Sequence, residues 1–94
     1  MPKAIFNGEV IAESDKFETV EGNIYFPPES IKREFFSETK KHTRCHWKGE
    51  ASYYTVKVDG EEAKDSAWYY AEPSPAAENI KDHVAFYGAV TIEK

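Results

Sequence analysis

A single cysteine, Cys45, stands among the 94 residues, so the chain has no internal disulfide. That scarcity of thiols suits a reducing compartment. No stretch approaches the roughly 20 consecutive apolar residues of a membrane-spanning helix. The opening residues, MPKAIFNGEV, carry a turn signal where a secretory leader would have its apolar region. The expectation is a cytoplasmic protein without a membrane partner. An excess of cations is also missing. The formal net charge is −5 with 31% charged residues, and an acidic chain does not attract polyanions as a whole, which argues against generic nucleic-acid binding. Nor are the spaced glycines of a phosphate-cradling loop present.

What the chain does have is aromatic residues, 15% of the total. They bury the most area per residue, and a small core gains most from them. A chain of this length is expected to form one domain, residues 1–94, with ordinary stability of roughly 5–10 kcal/mol. Charge is unevenly placed. Between Lys40 and Lys48 lie Lys40, Lys41, His42, Arg44, His46 and Lys48 with no acidic residue. A solvated strand and a local anion site both fit that run.

Short β-runs separated by turn residues make up most of the chain. Asn7-Gly8 and Asp59-Gly60 are two-residue hairpin turns, in which both central positions need φ > 0. Glu21-Gly22-Asn23 marks another hairpin, and Pro27-Pro28 stops its second strand because neither residue can donate to a ladder. The spacing of Ile31, Phe35 and Phe36 predicts a short helix over Glu29–Phe36. Ser74-Pro75 predicts a second helical piece, through Ile80, and His83–Tyr87 and Ala89–Ile92 read as closing strands. The fold class expected is mainly β, with one or two short helices.

Alternation about Asp59-Gly60 assigns side chains to faces, provided no bulge intervenes. Ser52, Tyr54, Val56, Val58, Ala63, Ala67 and Tyr69 share a core face. Ala51, Tyr53, Trp68 and Tyr70 share the other, with Ala51 opposite Trp68. The second set forms either another core or the floor of a cleft with two hydroxyls and an indole N–H. On the incoming strand Thr43, Cys45 and Trp47 point one way and His42, Arg44 and His46 the other. Cys45 and His46 therefore point apart, and one cysteine with three histidines makes a poor structural zinc set, so no metal and no cofactor are expected. Cys45 reads as a small buried hydrophobe or, beside cations, as a weak candidate nucleophile. Lys48-Gly49 reads as an ordinary turn or as an anion-holding one.

Thr43-Arg-Cys45-His-Trp47-Lys48-Gly49-Glu-Ala51-Ser-Tyr53, then Ala67-Trp68-Tyr-Tyr70 before Pro73, then His83-Val84-Ala85-Phe86-Tyr87, resemble the family called domain of unknown function 427. Asn23–Pro27 is similar to its N-terminal half. The resemblance implies a β-tent-like fold, two antiparallel sheets splayed around a groove. A nucleotidyltransferase-like label accompanies the family, yet the paired carboxylates near a Gly-Ser element that such chemistry wants are missing here. Many β-tent relatives hold zinc through four cysteines, which do not carry over. At His46-Trp47 the family commonly has Pro-Tyr, so this chain presents a larger aromatic surface there.

Three functional expectations follow. The first is a binding module for a small anionic ligand or an extended peptide, using Thr43, Arg44, Cys45, Trp47, Lys48, Tyr53, Trp68 and Tyr70. The second is an enzyme with Cys45 as nucleophile or redox centre and His42, His46 or His83 as base, or one with nucleotidyltransferase-like activity. The third is a structural interaction protein, a monomer or weak homodimer, using a sheet edge or the acidic surface.

Overall fold

The computed structural model describes residues Met1–Lys94. Nine strands appear in chain order: β1 (Lys3–Phe6), β2 (Glu9–Glu13), β3 (Glu18–Val20), β4 (Asn23–Tyr25), β5 (Phe36–Cys45), β6 (Gly49–Val58), β7 (Glu61–Tyr69), β8 (Val84–Phe86) and β9 (Thr91–Glu93). They form three antiparallel sheets, ordered β2-β1-β9, β3-β4 and β5-β6-β7-β8. The mainly β expectation holds, with a two-stranded ribbon as a third sheet beside the two larger ones. No helix is long and apolar enough to cross a membrane.

The expected hairpins are present because their turns meet the backbone requirement. Asn7 and Gly8, Glu21 and Gly22, and Asp59 and Gly60 all have φ between 48° and 83°. The expected helix over Glu29–Phe36 is absent. Two 3-10 turns, Pro28–Ser30 and Arg33–Phe35, flank an extended Ile31-Lys32. There the Lys32 N–H donates to the Ile11 carbonyl at 2.9 Å and Ile31 bridges Ala12, so a β contact wins over the helical spacing. Phe36 then opens β5 and packs edge-on to Tyr54, with centroids 5.5 Å apart. The Ser74-Pro75 start is real, but it opens a kinked 3-10 segment, Pro75–Ile80.

Hydrophobic residues gather on both faces of the four-stranded sheet. One face, with Tyr54, Val56, Val58, Ala63, Ala67 and Phe86, joins Ala4, Phe6, Ile11 and Ala12 of the three-stranded sheet in the main core of 15 buried residues. The other carries a smaller cluster of six, in which Ala51, Tyr70 and Ala85 meet Tyr25 of β4 and Ala77 and Ile80 of the last 3-10 segment.

Bulges at two places alter the expected register. Between Tyr54 and Val56 of β6, the facing strand β7 runs from Ala67 to Ala63, so Lys64, Asp65 and Ser66 oppose Thr55 alone. The Asp65 N–H donates to Thr55 Oγ1 at 3.2 Å, and Asp65 has φ of 52°. Tyr53 therefore faces Trp68, where uninterrupted pairing puts Ala51 there. The offset is two residues, an even number, so every side chain keeps its expected face. In β5, Thr39, Lys40 and Lys41 likewise oppose Tyr53 alone, and Thr39 Oγ1 donates to the Tyr53 carbonyl at 3.4 Å.

Candidate functional site

The face built by Ala51, Tyr53, Trp68 and Tyr70 is only partly covered by the smaller cluster. Its uncovered part is an open concavity of about 440 Å³, lined by Lys48, Tyr53, Trp68, Tyr70 and Tyr87. That is within the range of small-molecule sites.

Each wall is fixed from behind. Trp68 lies across from Tyr53 on β6 and Ala85 on β8, so its neighbour on one side is small. Its indole N–H donates to the hydroxyl of buried Tyr25 at 3.1 Å, and the two rings meet edge to face with centroids 6.2 Å apart. Tyr87, 45% exposed, follows Ala85 by two residues and lies against Trp68 with centroids 5.6 Å apart. The Tyr53 hydroxyl shares a 2.9 Å hydrogen bond with Thr43 Oγ1, and the Lys41 ammonium sits 4.7 Å from the Tyr53 ring centroid. Tyr70 is buried, and that burial pushes its phenol pKa upward despite the opposing charge of Lys48.

Lys48 comes from the turn between β5 and β6. That turn is anchored by Ser74, whose N–H donates to the Lys48 carbonyl at 3.0 Å and whose hydroxyl donates to the Trp47 carbonyl. Gly49 is required there. It has φ of 112°, and a Cβ would stand 3.4 Å from the Glu72 carbonyl oxygen. The Lys48 side chain is only 8% exposed and pairs with Glu21 at the tip of the β3–β4 hairpin. Its ammonium lies 5.6 Å from the Tyr70 centroid and 5.5 Å from that of Trp47. Burial is the largest single influence and disfavours the charge, but the hydrogen bond to Glu21, together with the Tyr25 and Tyr70 hydroxyls and the Glu21 charge, outweighs it and holds the amine above its usual value. Glu21, accepting from Lys48 and from the Trp47 indole at 3.3 Å, is held below the ordinary carboxylate range.

The eight residues singled out from sequence therefore divide. Lys48, Tyr53, Trp68 and Tyr70 line the concavity. Thr43 and Trp47 stand behind it, one holding Tyr53 and the other Glu21. Arg44, expected at the same rim, belongs elsewhere, because alternation turns it to the opposite face. It lines a separate polar hollow of about 380 Å³ with Gly49, Glu50, Ser52, Ala71, Glu72 and Ser74. Cys45 is half-buried against the smaller cluster, and no hydrogen bond joins it to His42, His46 or His83. His42 Nδ1 meets Ser52 Oγ at 3.3 Å and His83 Nδ1 meets the Lys81 carbonyl at 2.8 Å. No three His, Cys, Asp or Glu side chains converge as metal ligands. Tyr87 and Glu21 were not singled out from sequence, and Lys41 only as one cation of the Lys40–Lys48 run. Tyr87 left a signal in its place two residues beyond Ala85.

A concave aromatic face on a three-sheet β architecture is thus the setting in which the motifs lie. Residues 2–93 match the protein family described as a domain of unknown function, DUF427. The chain belongs to that family, as its spaced motifs indicate. No curated protein matches the chain.

Proposed function

We propose that the protein is a ligand-binding module whose groove takes a small molecule with a flat ring and an anionic group. The observation that carries this reading is the open concavity of about 440 Å³ walled by Tyr53, Trp68, Tyr70 and Tyr87 and bordered by the Lys48 ammonium. Tyr53, Trp68 and Tyr87, left partly in water on a fixed strand framework, offer π-faces for stacking, with no ordering of the protein needed. The fixed hydroxyls and cations give such a ligand its orientation. An extended peptide with an aromatic and an acidic side chain would meet the same groups.

A thermal-shift panel of nucleotides, aromatic carboxylates and short acidic peptides tests the reading. A ligand at about 100 times its Kd adds about 2.7 kcal/mol to stability. One class is expected to raise the Tm of the wild type and to have a much smaller effect on Tyr87→Ala. Tyr87 is half exposed, so that variant removes one wall and leaves the cores intact. No shift in the wild type from any class, or an equal shift in the variant, sinks the proposal.

A further inference from the structure

Resting on the groove reading above, we infer that the group reading a ligand's negative charge is Lys41, and that Lys48 is a structural cation. The two ammonium groups stand over different rings of the aromatic wall, Lys41 over Tyr53 and Lys48 beside Tyr70, in different electrostatic states. Lys48 is buried and already matched by Glu21, so the pair brings no net charge to the groove. An anion arriving at Lys48 would have to share the ammonium with a carboxylate that is already held by two donors, the Lys48 ammonium and the Trp47 indole. Lys41 is exposed, forms none of the molecule's four ion pairs, and rests over the Tyr53 ring at 4.7 Å. An exposed cation–π contact is weak and leaves most of the ammonium's donors to water. Such a contact is easily exchanged for an anion while Tyr53 keeps the lysine close by.

The backbone explains why Lys41 is there. Regular pairing opposite Tyr53 would place one residue of β5. The bulge places Thr39, Lys40 and Lys41, and the Lys41 N–H donates to Thr39 Oγ1 at 3.3 Å. Bulges commonly re-aim a side chain in this way, and on an edge strand this one also blunts edge pairing. No acidic residue occurs in the sequence from Lys40 to Lys48, so Lys41 has no acidic neighbour in its own stretch of strand from the bulge onward. The ligand class this fits is a planar ring bearing a carboxylate or phosphate, the ring on Tyr53 and Trp68 and the anion at Lys41.

Matched probe pairs separate charge from stacking. Indole-3-acetate and indole-3-acetamide, and adenosine monophosphate and adenosine, are each titrated into the wild type, Lys41→Gln and the pair variant Glu21→Gln/Lys48→Met, which removes both charges of the ion pair, and binding is followed by amide chemical shifts. The wild type is expected to prefer the anionic member of at least one pair by about two- to fivefold, the gain of one exposed ion pair. Which pair shows it distinguishes carboxylate from phosphate. Lys41→Gln should bring that ratio to unity while still binding the neutral member, and Glu21→Gln/Lys48→Met should keep it. A ratio that survives in Lys41→Gln, or is lost only in Glu21→Gln/Lys48→Met, overturns the assignment of Lys41 and leaves the groove standing. Absence of binding of all four probes to the wild type overturns the assignment and the groove reading together.

Discussion

Glu21 and Lys48, 27 residues apart in the chain, form an ion pair that ties the tip of the β3–β4 hairpin to the turn between β5 and β6. Glu21 holds this place with φ of 55°, a left-handed position that favours Gly, Asn or Asp. An unfavourable backbone site kept by a residue with a side-chain partner marks that partner as the reason for it. The pair closes one end of the aromatic face, and it orders Lys48 without leaving it free.

Acid should therefore loosen this end first. The Glu21 carboxyl is held below its reference value of 4.5 by Lys48 and Trp47. A group whose folded pKa is depressed stabilises the fold above its unfolded pKa, and that contribution fades as pH falls through the folded value. Denaturant melts of the wild type and Glu21→Gln from pH 7 to pH 3 should show the wild type more stable at neutral pH. The gap should hold down to about 4.5 and narrow below it. A gap independent of pH would show that the pair contributes nothing through its charge.

The Trp68–Tyr25 hydrogen bond links the ribbon to the groove floor, and a double-mutant cycle can weigh it. Tyr25 is fully buried, so Trp68→Phe leaves its hydroxyl without the indole donor. Each single change, Trp68→Phe or Tyr25→Phe, should cost about 1–2 kcal/mol. The double variant should cost less than the sum, because removing both polar partners leaves nothing buried and unpaired. Additive losses would mean that packing, not the hydrogen bond, sets the cost.

How far the sequence carried this reading depends on whether its signals were local. The Asn7-Gly8 and Asp59-Gly60 turns were legible because their backbone requirement lies within two residues. The grouping of Tyr53, Trp68 and Tyr70 came through as well, although the Asp65 bulge moved Trp68 from Ala51 to Tyr53. An even offset preserves faces, and an odd one would have turned the aromatic set around. The spacing of Ile31, Phe35 and Phe36 misled because all three do face apolar surroundings, but across an extended link bonded to β2. The place of Glu21 beside Lys48 and that of Lys41 over Tyr53 were illegible for a common reason. Each residue owes its place to pairing between strands distant in sequence or to a bulge, and neither is written in side-chain alternation.

Gly49 offers a test of how tightly the Lys48 end is built. Its φ of 112° disfavours any side chain, while an added Cβ would lie in ordinary contact with the Glu72 carbonyl and the Pro73-Ser74 backbone, at 3.4 to 3.5 Å, so the cost is one of backbone conformation. Gly49→Ala should destabilise by more than about 1 kcal/mol. A change of backbone at residue 49 shifts the adjoining 46–48 turn, whose anchor is the Ser74 N–H bond to the Lys48 carbonyl. Hydrogen exchange at the Ser74 amide reads this directly. It should accelerate in Gly49→Ala far more than the amides of β7 that lie in the main core. Uniform acceleration across both would place the loss in global stability, and unchanged exchange at Ser74 would show that the turn is not anchored where the geometry puts it.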